Sequence, residues 1–115
     1  MFDFEKLLVY QKAKVFNHKV REFIRNNKID TSSKNQLQRA ALSIVLNIAE
    51  GSGRSSSADK RNFYIIARGS VFECVAIFDF LREEQLMNVS TFDVFYKNCE
   101  ELSKMLFGMI GRLES

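Results

Sequence analysis

QLQRAALSIVLNIAEGSGRSSSADKR, residues Gln36–Arg61, reads as a helix, a tight glycine/serine turn and the start of a second helix. At about 100° per residue, Gln36, Arg39, Ser43, Asn47, Glu50 and Arg54 fall in one narrow polar stripe. Leu37, Ala40, Ala41, Leu42, Ile44, Val45, Leu46, Ile48 and Ala49 fill the rest of the circumference. A surface helix of a monomer usually carries an apolar arc of only about 100° or somewhat more. This helix is apolar on most sides and is therefore expected to be covered on most sides. One bundle core uses part of that surface, and a neighbouring subunit is the simplest use for the remainder.

Upstream, Val9, Ala13, Phe16, Val20 and Phe23 repeat at four-three spacing, the seam of a helix over roughly Phe4–Asn26 that Asp3 is placed to cap. Asn26-Asn27 suits a left-handed stop. Thr31-Ser32-Ser33 opens the second helix, with Ser33 and Gln36 at capping-box spacing. That helix is expected to end at Glu50, with Gly51 as its terminator. Ser56 caps a third helix running to about Glu84, with Asp59 in its first turn and a seam of Phe63, Ala67, Ser70, Cys74, Ile77 and Leu81. Ser90 is placed to cap the fourth, with Val89 and Val94 as a hydrophobic staple. Its stripe of Phe92, Phe95, Cys99, Leu102, Leu106, Met109 and Leu113 is the cleanest in the chain. Four long helices with short links predict a single all-α domain over 1–115, an antiparallel up-down-up-down four-helix bundle.

Composition agrees. The absence of proline and the five glycines favour long helices. MFDFEKLL lacks the basic and apolar regions of a signal peptide, and Arg68, Glu73 and Asp79 interrupt the most hydrophobic segment, so no membrane span and a cytoplasmic location are expected. Cys74 and Cys99, with one histidine elsewhere, are too few for a zinc site and are expected as buried free thiols; no metal or cofactor is expected.

The net charge of +3 hides an asymmetry. Residues 1–68 carry 13 Lys/Arg against 6 Asp/Glu, a net +7, whereas residues 69–115 carry 4 against 8, a net −4. Lys12, Lys14, Lys19, Arg21, Arg25, Lys28 and Lys34 lie on the first helix and its exit. Arg54, Lys60 and Arg61 surround the turn before the third helix, where free backbone N–H groups favour anions. A solvated helix face and a simple capping loop are the bland readings. Repeated on neighbouring subunits, the same residues form a cationic footprint for RNA or other nucleic acid. Glu73 falls on an apolar arc beside Ile66, Gly69, Ile77 and Phe80, where a lone charge needs a partner. A polar network of Arg39, Asn47, Glu50, Arg54 and Glu73 between helices is expected, fixing register or subunit geometry in preference to catalysis. His18 stands alone, and no serine sits in a nucleophile context; no enzyme is expected.

RAALSIVLNIAEGSGR (Arg39–Arg54), then RNFYIIARGSVFE (Arg61–Glu73), with the opening FEKLLVYQKA (Phe4–Ala13), resembles the small proteins encoded in intervening sequences of bacterial 23S ribosomal RNA genes. The motif pair is also similar to the accessory variability protein of diversity-generating retroelements. The resemblance covers nearly the whole chain. It implies a four-helix bundle assembling into a homopentamer and a non-enzymatic role; for the retroelement relatives it implies binding to a reverse transcriptase and to nucleic acid. The expected function is thus a non-catalytic oligomeric scaffold on nucleic acid. The alternative is a protein–protein adaptor, for a reverse transcriptase or a ribosomal factor.

Overall fold

A computed structural model describes residues 1–113. A 3-10 turn at Asp3–Lys6 precedes α1 (Leu8–Asn26), α2 (Thr31–Ser52), α3 (Ser57–Glu83) and α4 (Val89–Arg112), and no strand occurs among the described residues. Each helix packs on the next, and α4 returns to α1. Rising numbers on one helix meet falling numbers on its neighbour. Ser43 of α2 meets Ser70 of α3, whereas Gly51 lies against Tyr64. Arg68 of α3 lies over Phe107 of α4, whereas Arg82 lies over Phe92. Lys12 of α1 meets Glu101 of α4, whereas Phe23 meets Phe95. Neighbours are antiparallel, as a bundle with short links requires.

The centre is aromatic. Phe95 stacks on Phe78 at 4.8 Å between centroids and receives Phe16 and Phe23 edge-on at 6.0 and 5.8 Å. Such pairs add about 0.5–1.5 kcal/mol each beyond the area they bury. Val9, Ala13, Phe16, Val20 and Phe23 are all buried, so the α1 seam lies where its spacing puts it. In α4, Phe92 through Leu106 are buried, while Met109 and Leu113 are half-buried. The seam of α3 is rotated from the heptad reading: Tyr64, Val71 and Phe78 join Ala67, Ser70, Cys74 and Leu81 inside, and Phe63 and Ile77 move to the half-buried edge. A helix that must touch both α2 and α4 needs a wider arc than a single heptad seam provides.

Several caps differ from the sequence reading. Asp3 sits in the 3-10 turn, and α1 begins at Leu8 with no side-chain cap. Asn27 ends α1 in an extended, not left-handed, conformation, its side-chain amide donating to the Phe23 carbonyl at 2.9 Å. The cap of α2 is Asp30, whose carboxylate accepts from the Ser33 backbone N–H at 3.0 Å; that bond holds the Asp30 carboxyl below its ordinary 3.8. The cap of α4 is Asn88, which accepts from the Thr91 N–H at 2.8 Å, and Val89 and Val94 stay exposed. Ser56 does cap α3, accepting from the Asp59 N–H at 3.1 Å.

Gly51 is not a terminator. α2 continues to Ser52, and Gly51 is buried where a Cβ would lie 2.8 Å from Tyr64 Cε1 and 2.9 Å from Phe63 Cβ. The glycine lets α2 and α3 approach where they begin to turn. Between α3 and α4, Gln85 takes φ 62°, the Leu86 N–H reaches the Leu81 carbonyl at 2.8 Å and the Gln85 N–H the Arg82 carbonyl at 3.0 Å. This is a Schellman closure with a glutamine in the position glycine usually holds.

The bundle covers most of α2, burying Leu37, Ala40, Ala41, Ile44, Val45 and Ile48. Leu46 remains 51% exposed. On α3 the surplus is larger: Ile65, Ile66, Phe72 and Phe80 are 41–67% exposed.

Candidate nucleic-acid interface

α1 presents two unlike faces. Its seam is buried, while Lys14, His18, Arg21 and Arg25, spaced four, three and four, share the solvent side and are all exposed. Lys28 follows in the exposed loop, and half-buried Lys34 lies in the first turn of α2. Lys14 Nζ lies 5.4 Å from the Tyr10 ring centroid. No ion pair among the described residues engages Lys14, Arg21 or Arg25. Lys12 and Lys19 lie toward α4, lining a shallow groove, and Lys12 is paired there with Glu101 at 3.2 Å.

The turn between α2 and α3 uses its cations internally. Arg54 pairs with Glu50 at 3.6 Å and lies 4.6 Å over the Phe63 ring. Lys60 donates to the Ser52 carbonyl at 2.8 Å, closing the C-terminal end of α2, where a cation is favoured by the helix dipole. Arg61 is half-buried at the start of α3. With Ser56 already occupied by the Asp59 N–H, this segment is built as a capping loop.

The expected polar network divides into smaller parts. Asn47 donates to the Ser43 carbonyl at 2.9 Å and to its hydroxyl at 3.0 Å, and the Ser70 hydroxyl reaches the same Ser43 oxygen at 2.9 Å. Glu50 and Arg54 form their own exposed pair. Arg39 and Glu73 are both exposed, and no ion pair or hydrogen bond among the described residues engages either. Glu73 is thus not embedded between helices of one chain. The arc beside it is apolar but faces outward, so the carboxylate keeps its water.

Arg68 is a feature the sequence reading passed over. Its Nε donates to the Ser103 carbonyl at 3.2 Å, and its guanidinium lies 4.9 Å over Phe72 and 5.2 Å over Phe107. With Tyr96 it lines an open groove of about 830 Å³ between α3 and α4. The four-residue spacing of Arg68 and Phe72 was a legible signal, because positions i and i+4 meet on a helix.

Cys74 and Cys99 are buried free thiols. Burial pushes Cys99 up to about 12 and Cys74 higher still, so both are inert thiols at neutral pH. Among the described residues no group of three or more His, Cys, Asp or Glu could hold a metal, and no helix is long and apolar enough to cross a membrane.

Comparison with known proteins places this geometry. Among curated proteins, none matches the chain. A crystal structure of a protein with unknown function from the S23 ribosomal protein family of Bacteroides thetaiotaomicron superposes with a TM-score of 0.84 over 90% of this chain and 98% of that one, at 23% identity. That likeness shows the fold. The family model described as 23S rRNA-intervening sequence protein matches residues 5–108, nearly the full length. The chain belongs to the 23S rRNA-intervening sequence protein family.

Proposed function

We propose that the protein is a non-catalytic scaffold that assembles from identical copies, five in the ring its family resemblance implies, and binds RNA or another nucleic acid. The observation that carries this reading is the exposed row of Lys14, Arg21 and Arg25 on the solvent side of α1, continued by Lys28 and Lys34. Among the described residues these cations have no carboxylate partner, which leaves them available to phosphates. A ring repeats the row once per subunit, turning a modest patch into a broad field. Nothing in the row reads bases, so shape and backbone charge set the binding. Arg54 and Lys60 belong to the fold in this reading, and Lys12 and Lys19 flank the row. The exposure of Glu73 to solvent supports a binding role over a catalytic one. The two unpaired thiols suit a reducing cytoplasm.

Fluorescence anisotropy with a structured RNA over a potassium chloride series tests the proposal. Affinity is expected to fall as a steep power of salt, with a log–log slope of about −4 or steeper if roughly five phosphates are neutralised. Lys14→Glu, Arg21→Glu and Arg25→Glu together are expected to abolish binding while leaving helicity intact. Absence of binding at low salt overturns the nucleic-acid reading.

One observation favours the adaptor as second reading. The groove around Arg68, with Phe72, Tyr96 and Phe107 exposed, has the arginine-aromatic composition of protein interfaces, and a reverse transcriptase or a ribosomal factor would be the partner class.

A further inference from the structure

α3 is apolar on two sides. Its outward residues Ile65, Gly69, Phe72, Ala76 and Phe80, spaced four, three, four and four, make one continuous face and are all exposed. The face alternates large and small: nothing lies within 4 Å of a Cβ placed at Gly69. Small residues between large ones are the holes and knobs of helix packing. Glu73 sits at the edge of this face, with no ion pair or hydrogen bond among the described residues.

α2 carries the matching surface. Arg39, Leu42 and Leu46 share its outward stripe at three-four spacing, with Arg39 and Leu46 exposed and Leu42 half-buried. Arg39, too, has no ion pair among the described residues. Covering the α3 face removes water from Glu73, so its occupant must bring a cation. It must also bring aliphatic side chains for the Gly69 and Ala76 positions. The α2 stripe of another copy brings both. A nucleic acid fits poorly, since the charge within the face is a carboxylate.

We propose that the outward face of α3 docks on the Arg39–Leu42–Leu46 stripe of α2 of a second copy, pairing Glu73 of one copy with Arg39 of the next. The inference rests on the homo-oligomer part of the proposed function and is independent of its nucleic-acid part. The two surfaces differ, so the contact is head-to-tail: each copy gives α3 to one neighbour and α2 to the other, which closes into a ring or runs on as a filament.

Head-to-tail contacts have a distinctive test by analytical ultracentrifugation. Gly69→Arg blocks the α3 face, and Leu46→Arg blocks the α2 stripe. Open space at Gly69 and the 51% exposure of Leu46 let both variants fold, which circular dichroism checks. Each alone is expected to sediment as a 13.3 kDa monomer. Mixed, they are expected to form a one-to-one dimer and stop there, because each retains the surface the other lacks. Arg39→Glu and Glu73→Arg are each expected to weaken assembly at least roughly tenfold, and the double exchange to restore it. Variants that keep the wild-type mass, or a mixture that stays monomeric, overturn this contact. A monomeric wild type overturns the contact and the homo-oligomer reading together. Loss of RNA binding alone leaves the contact standing.

Discussion

α1 and α3 occupy diagonal corners of the same bundle and solve the inner half of their problem alike. Phe16 of α1 and Phe78 of α3 meet edge to face at 6.3 Å across the middle. Outward, the two helices part company. α1 turns Lys14, His18, Arg21 and Arg25 to solvent, whereas α3 turns out Ile65, Phe72 and Phe80. A helix that faces water on its outer side is free to fill that side with charge, and α1 does. A contiguous apolar face on a folded subunit marks a place where something else docks. The bundle alone explains the inner faces; the outer face of α3 is the surface that the proposed assembly would cover.

The sharpest way to break this comparison is to delete an aromatic ring on each side. In a Gly69→Arg background, expected to be monomeric, Phe95→Ala is expected to cost about 3–5 kcal/mol, because it leaves a hole against Phe16, Phe23 and Phe78. Phe72→Ala is expected to cost under about 1 kcal/mol, the scale of its stacking with Arg68. Urea unfolding measures both. Equal losses would mean that the outer face already supports the subunit.

Glycines give a second, smaller contrast. Gly51→Ala drives a methyl group into Tyr64 and Phe63 and is expected to cost about 1–3 kcal/mol. In the Leu46→Arg variant, expected to be monomeric, Gly69→Ala meets only open space and is expected to gain up to about 1 kcal/mol from helix propensity. Thermal melts of both variants check the opposite signs.

Both expectations depend on a feature that sequence could not supply. The helix count, the order, the α1 and α4 seams and the cap at Ser56 were all legible, because hydrophobic period and serine chemistry are local. Gly51 was not: a glycine near a helix end fits a terminator and a close approach equally well, and only the path of Tyr64 distinguishes them. Asp30 and Asn88 displaced the neighbouring serines as caps for a similar reason, since Thr31-Ser32-Ser33 and Ser90 are chemically competent and the chain's entry angle makes the choice. The turn at Gln85 carried no signal at all, having neither glycine nor asparagine. At the candidate site, the charge row on α1 was visible as a spacing. The engagement of Arg54 and Lys60 within their own turn depends on where α2 ends, and that end was misplaced. Arg39 and Glu73 were expected in one polar network between helices; both are exposed, and no ion pair or hydrogen bond among the described residues joins them, because where a charge on an apolar-looking arc faces depends on how the helix is rotated in the bundle.

Thiol titration adds the smallest test of the inner side of α3. Burial pushes the Cys99 thiol up to about 12 and the Cys74 thiol higher, from an ordinary 9.0, so the protonated thiols favour the folded state. That contribution is complete below pH 9 and is lost as pH rises toward 12. Urea melts from pH 8 to 10.5 are expected to show the decline in the wild type and a shallower one in Cys99→Ala. A slope unchanged by the substitution would mean that water reaches the seam.

The most direct measurement of all is the mass of the unmodified protein in solution. Sedimentation equilibrium at micromolar concentration is expected to give a whole multiple of 13.3 kDa, with the outer faces of α2 and α3 sheltered between copies. A well-behaved single species at 13.3 kDa would contradict the assembly on which the outward apolar face has been explained.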